Sequence, residues 1–482
     1  MIDLRPVGYV IGLLVAALGA TMVVPMAVDM VAHNGHWPVF LETGVIVSLT
    51  GGLIALACAN GVVERISIQQ TFLLTTGVWV MLPVFGALPF VLGATEASLT
   101  DAMFEAMSGL TTTGSTVFVG LDALPRGLLL WRSMLQWFGG IGVIVVAMVF
   151  LPELRVGGMQ IFRSEAFDTM GKILPRAAEI AAQISWIYVV LTFVCFLTYL
   201  GLGMPSFEAI NHALTTLSTG GFSTTDRSFG AFQGAPEYAA SVFMILASLP
   251  FVRYIQLIAG SAQPLWHDPQ VRGYLKVIVL VTAVLTVFQT ILLDRANEEA
   301  FREALFNVTS IISGTGYASV DYQLWGSFAM VVFFLIGLVG GCAGSTCCSV
   351  KIFRYQILFS AISAQVLRIH SPHGVFGPRY DGRKVDDDVL NSVMAFLVLF
   401  VVSLGALAVL LAMTGLDMVT ALSGAATAIG NIGPGLGPII GPAGNFAPIN
   451  DLAKWLLILG MLVGRLELMA VYVLFTAMFW RN

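Results

Sequence analysis

The chain has 482 residues, of which 57% are hydrophobic and 11% charged, with a formal net charge of −5. Soluble globular domains carry about 25% charged residues, so that class is excluded. So much apolar sequence must face lipid as well as a protein core.

Apolar runs occupy roughly 8–30, 39–60, 71–93, 127–150, 182–200, 239–260, 274–293, 323–340, 390–413 and 453–480. Each reaches or approaches the ~20 residues that a helix needs to cross a ~30 Å hydrocarbon layer, which predicts ten membrane helices. The first run is too long for a signal peptide and lacks a small-residue cleavage site in frame. With the N-terminus inside, the inner connections (1–6, 60–70, 152–180, 260–276, 351–388 and 481–482) hold 15 Lys and Arg, including Arg155, Lys172, Arg176, Lys351, Arg354, Arg383 and Lys384. The outer connections (29–42, 94–126, 201–237, 294–324 and 414–452) hold four: Arg126, Arg227, Arg295 and Arg302. That asymmetry predicts both termini in the cytoplasm. The outer connections also carry 16 Asp and Glu. A negative mouth concentrates cations, and loop solubility explains the same excess, so both readings stay open. Cys58, Cys195, Cys342, Cys347 and Cys348 lie in or beside apolar runs and form neither a disulfide framework nor a zinc spacing. The extended polar stretches are 152–180 and 351–388, so a nucleotide-binding regulator is expected to be a separate chain.

An internal repeat organises the chain. "DAMFEAMSGLTTTGSTV" from Asp101, "EAINHALTTLSTGGFST" from Glu208, "EALFNVTSIISGTGYAS" from Glu303 and "TALSGAATAIGNIGPGL" from Thr420 align position by position, with starts 107, 95 and 117 residues apart. Each runs from a residue suited to a helix N-terminus, through Ala and about ten mostly apolar residues, to a glycine thirteen places on. At 1.5 Å per residue such a segment spans about half of a membrane, so the chain must dip in and return on the same side. Irregular backbone at that depth survives only where it lines water or is buried in protein. The predicted fold class is an all-α polytopic membrane protein. Its divisions are a two-helix extension (1–66) and four pseudo-symmetric units of helix, pore loop and helix around one pore: 67–180, 181–272, 273–388 and 389–482.

The loop chemistry suits a cation. Backbone carbonyls replace the hydration shell of a bare cation, glycine lets successive carbonyls share a direction by accepting positive φ, and Thr and Ser add hydroxyl oxygens. The candidate cation-binding filter residues are Thr111, Thr112, Thr113 and Gly114; Ser218, Thr219, Gly220 and Gly221; Ser313, Gly314, Thr315 and Gly316; and Gly430, Asn431, Ile432 and Gly433. No Lys or Arg falls within the four loops. Tyr317 is read as a wedge behind the third loop. Glycines that merely let helices pack would be the bland alternative, but four registered copies argue against it.

A second cluster, Gly340-Gly341-Cys342-Ala343-Gly344-Ser345-Thr346-Cys347-Cys348-Ser349-Val350-Lys351, interrupts the inward helix of the third unit. It reads as a mobile intramembrane gate or as a tight packing stripe. Arg465 stands near mid-depth in the last apolar run, where a charge must face a cavity or a partner. It is either part of that gate or one half of a structural pair. Glu467, two residues on, points to another face of the helix. Arg132 is expected to snorkel to the outer interface and Arg253 to lie near the inner one. His212 reads as a packed histidine. No nucleophile–base constellation is present, so an enzyme is not expected.

These residues closely resemble the Trk/Ktr/HKT superfamily of potassium transporters, specifically the bacterial TrkH-type membrane subunit. The resemblance rests on "SGLTTTGST" (108–116), "LQWFGGIGVIV" (135–145), "GGFST" (220–224), "GGCAGST" (340–346), "NIGPGLG" (431–437) and "GRLE" (464–467). It implies potassium uptake across the bacterial inner membrane through a gated, channel-like filter, with K+ as the transported ion and no covalently bound cofactor. It implies a homodimer with a pore in each protomer, and a TrkA-type cytoplasmic regulator that binds NAD or ATP/ADP. It also implies that Gly340, Gly341, Gly344, Ser345, Thr346, Lys351 and Arg465 belong to the gate, and that a glycine at each of positions 114, 221, 316 and 433 favours K+. One departure is Cys347-Cys348-Ser349, where the family has further glycines; it is expected to stiffen the gate loop. The alternative function is a K+/H+ or K+/Na+ symporter.

Overall fold

A computed structural model describes residues 2–61, 66–145, 158–159 and 177–481. The inner-loop cations Arg155, Lys172 and Arg176 lie outside the described residues. Among the described residues the regular secondary structure is helical apart from one small hairpin, Arg379–Tyr380 paired antiparallel with Arg383–Lys384.

The chain opens with α1 (Arg5–Thr21) and α2 (Val23–Val31), which together form one span, and α3 (Trp37–Cys58). Glycines let α1 and α3 touch backbone to backbone: a Cβ on Gly51 would stand 2.3 Å from the Ala16 amide nitrogen. Unit 1 is α4 (Ile68–Gly86) with α5 (Leu88–Leu92), the short α6 (Leu99–Leu110) and α7 (Arg126–Val145). Unit 2 is α8 (Ala177–Gly201), the short α9 (Ser206–Leu217), and α10 (Ala235–Ala247) with α11 (Phe251–Ile258). Unit 3 is α12 (Pro269–Leu292), the short α13 (Asn297–Ser313) and α14 (Ser327–Gly337). After the polar helix α15 (Ile352–His370), unit 4 is α16 (Asp387–Met413), the short α17 (Met418–Gly430), and α18 (Asp451–Arg465) with α19 (Met469–Tyr472).

Side-chain caps explain several starts. The Ser67 hydroxyl accepts from the Gln70 amide at 3.2 Å while Gln70 Oε1 accepts from the Ser67 amide at 2.8 Å, a reciprocal box opening α4. Ser98 caps α6, Asp417 caps α17 and Asn450 caps α18. The short helices therefore start earlier than the sequence suggested. Asp101, Glu208 and Thr420 are third residues rather than caps, and α13, at 17 residues, begins two turns before Glu303. Acidic residues in a first turn favour the positive helix end much as a cap does, so composition alone did not separate the two positions.

Among the described residues six helices are long and apolar enough to cross a membrane, or up to eight if each of two bent pairs counts as one span. The predicted helix over 239–260 is two helices meeting at 91° after Ala247, and that over 453–480 bends by 105° after Arg465. Pro250, which has no amide hydrogen, sits at the first bend. At the second, Glu467 and Leu468 adopt φ of 60° and 40°. The predicted helix at 323–340 keeps 11 residues before giving way to the glycine-rich loop.

Candidate functional site

The four short helices end alike. The first or second residue beyond each helix enters the left-handed region, at Thr112 (φ 51°), Thr219 (φ 50°), Gly314 (φ 74°) and Asn431 (φ 49°). Their amides donate back to the carbonyls of Gly109, Thr216, Ile311 and Ala428 at 3.0–3.3 Å. The next amides, of Thr113, Gly220, Thr315 and Ile432, donate to Ser108, Thr215, Ser310 and Thr427 at 2.9–3.0 Å. This pair of bonds is the Schellman motif, built four times in register. It satisfies carbonyls that a helix end would otherwise orphan and turns the chain sharply.

A glycine follows in every copy: Gly114 (φ 85°), Gly221 (φ 77°), Gly316 (φ 79°) and Gly433 (φ 112°). A Cβ on Gly114 would stand 2.2 Å from the Gly220 carbonyl oxygen, and one on Gly221 1.9 Å from that of Thr315. On Gly316 it would stand 1.9 Å from the Ile432 oxygen, and on Gly433 2.9 Å from the Thr113 oxygen. The contacts run from loop 1 to 2, 2 to 3, 3 to 4 and 4 to 1, and so close a ring. All sixteen candidate loop residues are brought together. Thr111, Ser218, Ser313 and Gly430 form the step below the left-handed residues, and every one of the sixteen is buried except Gly114, Gly221 and Gly316. Those three are half-buried and, with Gly433, line a cavity of about 300 Å³ that also includes Asp226 and Asn445.

The wall of the ring is rich in oxygen. Among the described residues, the carbonyl oxygens of Thr113, Thr315 and Ile432 accept no hydrogen bond, and neither Thr112 Oγ1 nor Asn431 Oδ1 has a partner. The four short helices also point their C-terminal ends, which carry partial negative charge, at this wall. Buried, unpaired oxygens under a negative potential can replace water around a bare cation.

Polar side chains brace the ring from behind. Arg132 on α7 is buried and does not snorkel to the interface. Its Nε donates to Glu105 Oε1 at 2.7 Å, its Nη1 donates to the Ser223 carbonyl at 2.9 Å, and its guanidinium lies 4.1 Å from the Phe222 ring centroid. It thereby joins the first short helix to the second loop. A buried charge needs such partners, and Glu105, 27 residues away in sequence, was not recognisable as one. Arg253 pairs with Asp268 at 2.8 Å. His212 is packed, its Nε2 3.1 Å from Ser223 Oγ. Tyr317 is buried, hydrogen-bonded to Thr215 Oγ1 across to α9, and stacked on Phe306. Gln136, on α7 within "LQWFGGIG", contacts the second loop through both ends of its carboxamide. Sequence reasoning passed it over, although a glutamine inside an apolar helix was the available signal.

A second constellation lies beside the ring, where a Cβ on Gly314 would come within 3.9 Å of the Cys348 amide nitrogen. The loop after α14 is held on three sides. Thr346 donates through its amide and hydroxyl to the Ala247 carbonyl, Cys342 donates its amide to the Ser248 carbonyl, and the Gly344 carbonyl accepts from Phe251. All three are anchored at the bend between α10 and α11. Ser345 Oγ donates to the Cys342 carbonyl at 2.7 Å, and the Gly341 carbonyl accepts from Ile352 at 3.0 Å. From α18, Arg465 donates to the Thr346 carbonyl, to Cys348 Sγ and, on α7, to the Gly139 carbonyl. Lys351 Nζ pairs with Glu467 Oε1, and Arg354 takes the other carboxylate oxygen. From the sequence, Glu467 was read only as lying on another face from Arg465 and Arg354 only as an inner-connection cation; their pairing was not foreseen. The left-handed residues of this loop are Gly340, Gly344, Ser349 and Lys351. Cys347 and Cys348 therefore occupy ordinary backbone positions, and Cys347 Sγ donates to Ser248 Oγ.

The family model TrkH, described as a cation transport protein, matches residues 36–482. The Trk system potassium uptake protein TrkI of Halomonas elongata is 43% identical, over 99% of this chain and 97% of its own. The Trk system potassium uptake protein TrkH of Escherichia coli K12 is 35% identical, over 99% of both. The crystal structure of the potassium transporter TrkH from Vibrio parahaemolyticus superposes with a TM-score of 0.92, at 32% identity and over 100% of both chains.

Proposed function

The chain belongs to the TrkH family of cation transport proteins, and on that premise we propose that it carries potassium into the cell across the bacterial inner membrane. The ion passes through the ring of four loops, whose sixteen residues act as the selectivity filter. The observation that carries this reading is the closed cycle of glycine-to-carbonyl contacts: it fixes the spacing of buried oxygens around one axis, as a filter requires. Each unit, with the boundaries given above, supplies one quarter of the pore. Both termini face the cytoplasm.

The loop of Gly340, Gly341, Gly344, Ser345, Thr346 and Lys351, with Arg465, is the gate. Its support is positional, since the loop abuts Gly314, is held by groups from the second, third and fourth units, and meets Arg465, which also donates to Gly139 of the first. By family likeness the protein works as a homodimer, controlled by a TrkA-type cytoplasmic ring that binds NAD or ATP/ADP. Transport is channel-like: Glu467, the carboxylate within the last bent helix pair, is held by Lys351 and Arg354 and so is not free to carry a proton.

Reversal potentials in proteoliposomes test the proposal. A Nernstian K+ potential indifferent to imposed H+ and Na+ gradients is expected. A fixed shift with either gradient would establish K+/H+ or K+/Na+ symport instead.

A further inference from the structure

The four loops differ at the position just before the ring glycine. Three carry a side chain there, Thr113, Thr315 and Ile432, and the second carries Gly220. In loops 1 and 3 that side chain locks its own loop. Thr113 Oγ1 lies 2.7 Å from Thr111 Oγ1, and Thr315 Oγ1 lies 2.7 Å from Ser313 Oγ. Loop 2 keeps the lower hydroxyl, Ser218, in the matching place but has nothing at 220 to meet it.

The gap is filled from another element. A Cβ on Gly220 would stand 2.4 Å from Gln136 Cδ, so the carboxamide of Gln136 occupies the space of the missing side chain. Gln136 is fully buried. Its Nε2 donates to the Gly220 carbonyl at 2.6 Å, and its Oε1 accepts from the Phe222 amide at 3.0 Å. The two bonds straddle Gly221. A carboxamide is the neutral side-chain group that donates and accepts side by side, which is what a peptide turning at one glycine presents. Gly220 is not among the left-handed residues, so its glycine identity answers to Gln136 rather than to backbone angle.

From this we propose that Gln136 is the positioning and specificity-determining residue of the second loop. It acts in place of a filter side chain and holds the Gly220 carbonyl in the ring. The inference rests on the filter reading above and adds an asymmetry to it. Three ring carbonyls, of Thr113, Thr315 and Ile432, are left wholly to the ion. The fourth is shared with Gln136, whose donation draws on one of its lone pairs. Discrimination among alkali cations then depends on a residue outside the filter sequence.

The test is a compensation cycle read by competition of Na+ against 86Rb+ uptake in proteoliposomes. Gln136→Ala removes the brace. Gly220→Thr alone collides with Gln136. Each is expected to lower discrimination against Na+ by about tenfold, equivalent to about 1.4 kcal/mol. The double variant Q136A/G220T restores the side-chain lock through Ser218, as in loops 1 and 3, and is expected to recover discrimination to within about threefold of the parent, roughly 0.7 kcal/mol by the same conversion. Gln136→Glu keeps size and the bond from Phe222 and, as the carboxylate, has no hydrogen to donate to Gly220. It is expected to elute as a folded protein in detergent and still lose discrimination. A double variant no better than its parents, or a Gln136→Glu protein that discriminates normally, overturns the proposal. Gly316→Ala, measured alongside, separates the two readings: if it leaves 86Rb+ uptake intact, the filter assignment itself fails.

Discussion

Lys351 Nζ lies 2.7 Å from Glu467 Oε1, and both side chains are buried. This pair, with Arg354 on the second carboxylate oxygen, ties the end of the glycine-rich loop to the bend in the last inward helix. The bend needs a tie. Glu467 and Leu468 both stand in left-handed conformations, which cost about 1–3 kcal/mol each for residues other than glycine. Glu467→Gln leaves two buried cations facing a neutral group. Breaking a buried pair in this way costs about 3–5 kcal/mol. A clearly lower thermal midpoint in detergent is expected, and a midpoint equal to the parent's would show that the bend is held by something else.

Arg465 offers a second handle on the same loop, through the Thr346 carbonyl. Hydrogen bonds from a charged group contribute about 1.5–3 kcal/mol. Arg465→Ala is therefore expected to raise basal 86Rb+ flux by about tenfold or more in proteoliposomes without any regulator, each decade corresponding to about 1.4 kcal/mol. Flux no higher than the parent's, in protein that elutes normally, would count against the gate.

The ring makes a sharper demand. A single methyl at Gly316 would lie 1.9 Å from a backbone oxygen, and backbone cannot step aside as a flexible side chain can. Gly316→Ala should abolish 86Rb+ uptake. Gly405→Ala is the matched control, because a Cβ there meets nothing within 4 Å. Its uptake should equal the parent's.

Arg132 and Glu105 form the buried pair behind the ring. Arg132→Leu strands the carboxylate with Thr116 Oγ1 and the Val117 amide and is expected to destabilise by about 3–5 kcal/mol. Replacing both partners by apolar residues should recover most of that stability, since the stranded charge, and not the lost attraction, dominates the penalty. Equal losses in the single and double variants would refute this account.

Much of this architecture was legible in the sequence, for local reasons. The four loops could be aligned because a Schellman turn followed by a second left-handed residue demands glycine at a fixed distance from the helix, and Gly114, Gly221, Gly316 and Gly433 keep that distance. Helix starts were misplaced by three residues because Asp101 and Glu208 suit a first turn as well as a cap. The first bend was missed because hydropathy runs on through Leu249, and the second because Arg465 and Glu467 were read as charges carried on a continuous helix. Pro250 marked the first only in hindsight, and the second depends on Lys351 and Arg354, over a hundred residues away. The same holds for Arg132 and Gln136. Their polar atoms announced a need for partners, but Glu105 and Gly220 are named only by the tertiary fold.

The cycle of glycine contacts also bears on how the gene could be cut. Because every loop touches the next in one rotational sense and the fourth touches the first, the ring has no first member. A circular permutant that begins at the second unit and ends with the first, joined by a linker long enough to link the original ends, would rebuild all four contacts. Exchanging the order of two neighbouring units would break every junction between loops of consecutive number that the exchange separates. Order around the axis, rather than the place where the chain starts, is what the ring specifies.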